Sequence, residues 1–522
     1  MPARVVVLVA AGIGLVGFVA VLLGTPDGAV VSTDSATYVG VARNIVDGLG
    51  VTEPFTQVLD PFTPAEALAF DGAAPLMLWP PLYPLVLALP GLFGIDPTSS
   101  AATINALCLA AAAFLVVLLT FRLATGRAKL RLGAGAVAGM ALLLPYVFLQ
   151  TFLFALSEPL YIVLSVGALF ALADYLRSPR VVPLVALTLL SSAAAMTRFI
   201  GLALVATSVV AVLTLAPGER RVRLRHAALA ALAAVPPIVW SLYSSSQAAR
   251  SVLRVGWHPP HRSDLEGMVQ TTTEWFVPPG APTALRVVVL GAVVAASAVA
   301  ILAIRKKGPG SGALVACWLY VVLYVCFLLA SVTLLEDRFV PLEGRQLAPL
   351  WPVTVVAITS GAARWWRRDR PTLVIAAAAL VAVGLVGTGL YLAVDTAEQL
   401  AGGPPTLAQD AGTAEIDDFL ADLPVGTVVF SNSPAAVYDA TQRYVMSVPQ
   451  RDLPGSGTPN PDIDTDLAEL AEIVDGNDTV IVMYSLGAFL SPYLVTTGEL
   501  QEALGVEAIA EFPTAVVLSA KR

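Results

Sequence analysis

Apolar residues run along this chain in long blocks separated by short polar stretches. A helix needs about 20 apolar residues to cross a bilayer. Eleven blocks come near that length: 1–24, 100–121, 132–152, 158–176, 181–197, 199–216, 227–243, 284–304, 311–332, 346–361 and 371–393. The pattern predicts a polytopic all-α membrane protein with about eleven transmembrane helices. The run from 181 to 217 is too long for one span and short for two, which puts Arg198 in a tight turn between two short helices. Residues 78–94 are apolar but broken by prolines and read as a re-entrant or interfacial helix.

The polar stretches give the orientation. Basic residues gather at 122–131, 177–180, 219–226, 305–307 and 364–370. With eleven crossings all five stretches share a side with Arg4, and lysine- and arginine-rich loops mark the cytoplasmic face. The first block lacks a small-x-small cleavage site and reads as a span with a cytoplasmic N-terminus. The extracytoplasmic side then receives the loops 25–98 and 244–283, Ser157–Glu158, Arg198, the stretch Glu336–Arg345 and everything after Val394.

The pattern changes again past the last block. Residues 1–394 read as a transmembrane domain, 395–412 as a linker and 413–522 as a small extracytoplasmic α/β domain. Short apolar strands at 427–431, 444–448 and 479–484 alternate with helical stretches at 433–443, 463–475 and 498–504. VEAIAEF and TAVVLSA follow as an edge pair. The alternation predicts a largely parallel sheet.

Composition agrees. The chain is 57% hydrophobic and 13% charged with a mean hydropathy of +0.77, which excludes an ordinary soluble enzyme. The net charge of −8 is split: 20 acids and 4 basic residues from Asp395 onward, against 18 and 26 before it. No basic patch with interleaved aromatics points to nucleic acid. Cys108, Cys317 and Cys326 lie within apolar runs and read as packing residues.

Candidate chemistry gathers on the extracytoplasmic side. Asp34 lies in VSTDSATYVGVARNIVDGLG (31–50), ahead of a short amphipathic helix. It is either a cap or a base for a hydroxyl proton. Glu158 in LSEPLY is a cap before Pro159, or a carboxylate holding an ion pair or an acceptor hydroxyl. Arg198, Arg338 and Arg345 stand at helix mouths against the positive-inside trend. Each either snorkels to headgroups, pairs with Asp34 or Glu158, or holds a lipid phosphate. His258 and His261 flank Pro-Pro, which prevents a helical ligand pair; they read as phosphate or sugar contacts or as loop structure, and no metal cluster is evident. Tyr38, Trp79 and Tyr83 belong to the interfacial aromatics, of which one or two stack on a sugar ring.

Taken in order, TDSATYVGVARNIVDGLG, WPPLYP, LSEPLY, MTRFIG, DRFVPLEGRQLAPLWP and VVFSNSPAAVYDATQRYVMSVP resemble the GT-C glycosyltransferase superfamily. The resemblance is to the bacterial relatives of protein O-mannosyltransferases and of the aminoarabinose transferase that modifies lipid A. It covers essentially the whole chain. It implies an inverting glycosyltransferase that moves a pentose or hexose from a polyprenyl-phosphate donor to a glycan, glycolipid or protein acceptor. The setting would be the outer face of a bacterial plasma membrane, with membrane lipids and envelope-biosynthesis proteins as partners. Asp34 then matches the general base, with Ser35 where a second acid is usual. Glu158 matches the acceptor-side acid, and Arg198 and Arg345 the donor-phosphate side. Some members use a divalent metal; no cofactor is demanded here. Two rivals remain: a transporter or flippase of a lipid-linked sugar, and a non-catalytic scaffold of envelope assembly.

Overall fold

The computed structural model describes residues 2–247, 254–277, 280–304, 310–336, 342, 344–365, 387, 414–485 and 491–520. The expected span at 371–393, the linker and Arg338 lie outside the described residues.

The chain opens on α1 (Ala3–Gly24) and then leaves the bundle. The first long loop carries α2 (Thr33–Val46), α3 (Pro64–Phe70) and α4 (Leu82–Gly91). Strands β1 (Thr52–Glu53) and β2 (Ala74–Pro75) tie this loop into an antiparallel pair. The bundle continues with α5 (Pro97–Leu123), α6 (Ala128–Leu142), α7 (Tyr146–Gln150), α8 (Glu158–Arg177), α9 (Val181–Thr197) and α10 (Leu202–Leu215). Then follow α11 (Arg220–Ala231), α12 (Val235–Ser245), α13 (Arg262–Glu274), α14 (Thr283–Ile304), α15 (Ser311–Leu334) and α16 (Leu350–Trp365). Among the described residues five helical stretches are long and apolar enough to cross a membrane: Ala3–Gly24, Pro97–Leu123, Glu158–Arg177, Arg220–Ser245 and Ser311–Leu334. Shorter apolar helices stand between them. This is a mostly helical, multi-span membrane protein.

Helix α5 is central, packing on α1, α6, α8 and α16. Two glycines make the approach possible. A Cβ at Gly14 would lie 2.8 Å from the Ala110 carbonyl oxygen, and one at Gly135 2.8 Å from that of Val117. With no solvent to drive helices together inside a bilayer, such close backbone contact is a main source of adhesion.

Three expected elements differ. The block 132–152 is not one helix: α6 ends at Leu142 and α7 restarts after Pro145, because proline removes a donor and clashes with the preceding turn. The basic stretch at 219–226 forms the first turns of a helix, arginine being a good helix former. The chain there runs helical through one 3-10 turn to Ser245. The terminal sheet is mixed. Its order is β4 (Met446–Ser447), β3 (Val428–Ser431), β5 (Thr479–Tyr484), β7 (Ala515–Ala520), β6 (Val506–Phe512). The pairs β3–β4 and β3–β5 are parallel, and β5–β7 and β6–β7 antiparallel. The final hairpin inserts β7 against the buried β5, so of that expected edge pair β6 alone is an edge, with β4 at the other side of the sheet.

This unit sits on the first long loop. Phe55 bridges Val445, the Thr56 amide donates to the Val445 carbonyl at 3.0 Å, and the Tyr444 hydroxyl donates to the Ala67 carbonyl at 2.5 Å. Phe55 and Ala36 share a core with Val429, Val437 and Tyr438. Beneath this seam Glu53 is fully buried. Burial, and then the Asp60 charge, raise its pKa well above the usual carboxylate range.

Candidate functional site

Helix α2 aims the first acid. Ser32 is its cap, accepting from the Ser35 amide, so Asp34 is released from capping and sits in the first turn. Arg43, one face further along, pairs with Asp96 at the head of α5 at 3.0 Å and donates to Gln442 of the sheet domain at 3.1 Å. Asn44 donates to the Thr52 and Gly72 carbonyls. The helix is therefore fixed against bundle, loop and terminal domain at once.

Glu158 opens α8, with Pro159 in the first turn where its missing donor costs nothing. Ser157 does not cap this helix. Its hydroxyl instead receives Arg198 Nη1 at 3.1 Å and stands 3.2 Å from the Tyr38 hydroxyl. Arg198 occupies the extended residue between α9 and the Phe199–Gly201 turn, as its sequence context predicts.

These elements bring four of the expected residues together. Arg198 Nη1 lies 2.5 Å from Glu158 Oε1, with Glu158 fully buried and Arg198 15% exposed. Arg345, on the short turn Gly344–Gln346 before α16, pairs with Asp34 and comes within 3.9 Å of the same Glu158 oxygen. Asp34 and Arg345 are 25% and 34% exposed, so this half of the cluster faces solvent. The cluster holds two carboxylates and two guanidiniums and is neutral. Both acids lie in the first turn of a helix. Burial opposes the charge on Arg345, but the Asp34 and Glu158 carboxylates outweigh it and hold its pKa above the ordinary arginine value. Burial acts likewise on Arg198, where the Glu158 carboxylate outweighs it.

Gln346 is the residue that sequence reading missed. Its side-chain oxygen accepts Arg198 Nη2 at 2.6 Å, and its carbonyl accepts the Tyr324 hydroxyl at 2.6 Å. Thr271 on α13 holds the same turn by accepting the Gly344 amide at 2.8 Å. The only signal in the sequence is a polar residue beside Arg345 at the mouth of an apolar block.

Other expected residues are placed elsewhere. Tyr38 and Tyr83 are buried, packed edge to face at 5.2 Å, and Trp79 meets Tyr38 at 5.7 Å. Their rings support the cluster from beneath; a sugar has no face of Tyr38 or Tyr83 to stack on. Burial also raises the Tyr38 phenol, keeping it a protonated donor. His258 and His261 make local structural contacts, His258 with the end of α15 and His261 with the start of α13. His258 Nε2 meets the Leu335 carbonyl at 3.1 Å, and His261 caps α13. Pro259 and Pro260 hold the segment extended, which keeps the two imidazoles in loop structure. Among the described residues no group of three or more acids, histidines or cysteines is arranged to hold a metal.

No protein-family model matches the chain, and no curated protein matches it by sequence. Solved structures do match. ArnT from Cupriavidus metallidurans superposes over 100% of both chains, with a TM-score of 0.56 and 14% identity in the apo state. Bound to undecaprenyl phosphate it gives 0.55 over the same coverage. The archaeal oligosaccharyltransferase AglB from Archaeoglobus fulgidus, in complex with an inhibitory peptide and a dolichol-phosphate, gives 0.52 at 14% identity. That match covers 92% of this chain and 69% of AglB. The chain has the GT-C fold. On this GT-C frame, residues from the first long loop, two middle helices and the turn before α16 converge at one mouth of the bundle, capped by the mixed sheet domain.

Proposed function

We propose that this protein is an inverting glycosyltransferase that uses a polyprenyl-phosphate sugar on the extracytoplasmic face of a bacterial plasma membrane. The observation that carries the reading is the neutral cluster of Asp34, Glu158, Arg198 and Arg345. Its base and phosphate-binding groups are already paired with one another at the membrane surface. The GT-C fold shared with ArnT, seen bound to undecaprenyl phosphate, and with AglB, seen with dolichol-phosphate, supports the choice of donor. On the reading of eleven spans with a cytoplasmic N-terminus, which the apolar pattern and the basic loops support, the cluster falls on the outer side.

In this mechanism the donor phosphate draws Arg345 away from Asp34, since a phosphate oxygen competes for the same guanidinium. Asp34 is then free to accept the acceptor hydroxyl proton. The hydroxyl oxygen attacks the anomeric carbon as its bond to the phosphate oxygen breaks, and the lipid phosphate departs with the electron pair. Arg345 and Arg198 stabilise the charge that develops there. Glu158 holds both guanidiniums in place. Attack from the opposite face inverts the anomeric centre.

The test is release of polyprenyl phosphate in lipid nanodiscs supplied with candidate donors and acceptors. Wild type should consume a matched donor, and Asp34→Asn should bind it and leave it intact. If Asp34→Asn and the exposed control Asp47→Asn behave alike, the base assignment is wrong.

A further inference from the structure

The charged cluster stands at one end of α8 and α9, and a separate basic cavity stands at the other. Glu158 is the first residue of α8 and Arg177 the last. A helix of 20 residues rises about 30 Å, the thickness of a bilayer's hydrocarbon. The two sites therefore lie at opposite faces of the membrane. The cavity is framed by the end of α5, the end of α8 and the start of α9, and its volume is about 680 Å³. Small-molecule sites measure about 300–1,000 Å³.

Four side chains set its charge. Arg122, Arg177 and Arg180 line it, with Asp174 as the one carboxylate in its wall. Asp174 is already committed to Arg122, whose guanidinium also lies over the Phe170 ring at 4.0 Å. That arginine is held in place and neutralised. Arg177 and Arg180 are exposed, and among the described residues no carboxylate pairs with either. Arg180 spends its Nε on the Ser178 hydroxyl at 3.2 Å, which leaves its two Nη groups open. Three arginines against one aspartate leave two positive charges on neighbouring guanidiniums. Guanidiniums bind phosphate oxygens in forked pairs, so a phosphate complements this wall.

A second, apolar feature begins at the same place. From the cavity wall α9 carries Val181, Val185 and Leu189, four residues apart and all exposed. The stripe runs about 12 Å along the helix, most of the roughly 15 Å depth of one leaflet's hydrocarbon. A soluble anion would leave the stripe untouched. A phosphate that carries an acyl chain covers both parts, and basic pockets between spans take anionic head groups in this way.

We propose that this cavity binds the head group of an anionic glycerophospholipid from the leaflet opposite the charged cluster. Its phosphate pairs with Arg177 and Arg180, and one acyl chain lies on Val181, Val185 and Leu189. The bound lipid ties α8 to α9 at the end away from Glu158 and Arg198. The site stands independently of the glycosyl-transfer reading.

The test is lipid retention by the full chain in detergent, read by native mass spectrometry. Phosphatidylglycerol and phosphatidylcholine with the same acyl chains are added in equal amounts, and glycerophosphoglycerol serves as the chain-free head group. Wild type should favour phosphatidylglycerol at least about tenfold. Arg177→Gln with Arg180→Gln should lose that preference. Arg220→Gln with Arg221→Gln removes the same charge from the exposed start of α11 and should keep it. All four side chains are exposed, so the lipid-free thermal midpoints should match that of wild type. Should the first pair destabilise the chain, Arg180→Gln alone carries the comparison. No preference in wild type, or an equal loss in both double variants, overturns the site, the second outcome reducing it to diffuse surface attraction. Equal affinity for glycerophosphoglycerol and the whole lipid overturns the lipid assignment and makes the occupant a soluble anion.

Discussion

Arg345 reaches across the mouth of the bundle to pair with Asp34, a residue 311 positions earlier in the chain. Neither residue is buried deeply enough to be purely structural, and neither can act on a substrate while held by the other. On the proposed mechanism the pair is a closed form of the site that an incoming anion opens.

Asp34→Asn keeps the shape of the side chain and removes its basicity. Turnover of the donor should fall by about 10²- to 10⁴-fold, with the donor Kd changed little. Single-turnover release of polyprenyl phosphate measures the first and a lipid-binding assay the second.

Arg198 and Glu158 form the buried half of the cluster. Arg198→Ala leaves the buried Glu158 carboxylate with only the 3.9 Å contact to Arg345, at a cost of up to about 3–5 kcal/mol. The thermal midpoint should drop sharply, and Glu158→Gln in the same chain should recover part of the loss.

Gln346→Leu removes the bond to Arg198 and keeps the volume. A hydrogen bond to a charged group contributes about 1.5–3 kcal/mol. The expected result is a higher KM for donor with a smaller change in kcat, since the residue positions a guanidinium and touches no reacting atom. An equal fall in kcat and kcat/KM would sink the idea.

Glu53 links stability to pH. Its folded pKa is raised, by burial and then by Asp60. Its contribution is therefore full below the ordinary glutamate range and declines as pH rises from there through the raised value. Thermal melts from about pH 4 to about pH 8 should show this decline, and Glu53→Gln should flatten it and be the more stable form at the upper end.

Gly201 closes the turn that carries Arg198. A Cβ there would stand 2.5 Å from the Ala195 amide nitrogen and α-carbon. Backbone cannot yield as a flexible side chain does, so Gly201→Ala should displace Arg198 and lower donor turnover without altering any polar group. Unchanged kinetics would show that the turn tolerates the shift.

The sequence made some of this legible and hid the rest for physical reasons. Apolar length alone gave the long spans, because a bilayer imposes it. The Arg198 turn followed from a block too long for one helix. Pro145 was visible, yet its break was lost in an apolar run. Asp34, Glu158, Arg198 and Arg345 stood out as charges at helix mouths, but their pairing is tertiary and no local spacing encodes it. Tyr38 and Tyr83 carry the composition of an interfacial belt, and only packing shows them buried. Gln346 is chemically unremarkable until Arg198 and Tyr324 are placed on either side of it.

The seam between Phe55 and Val445 also sets a schedule. The chain is made from one end, and the strand that completes the first long loop is translated roughly four hundred residues after that loop. Until then Thr56 lacks its partner carbonyl and Phe55 its core. The mouth of the bundle thus stays unfinished until a segment far along the chain reaches it.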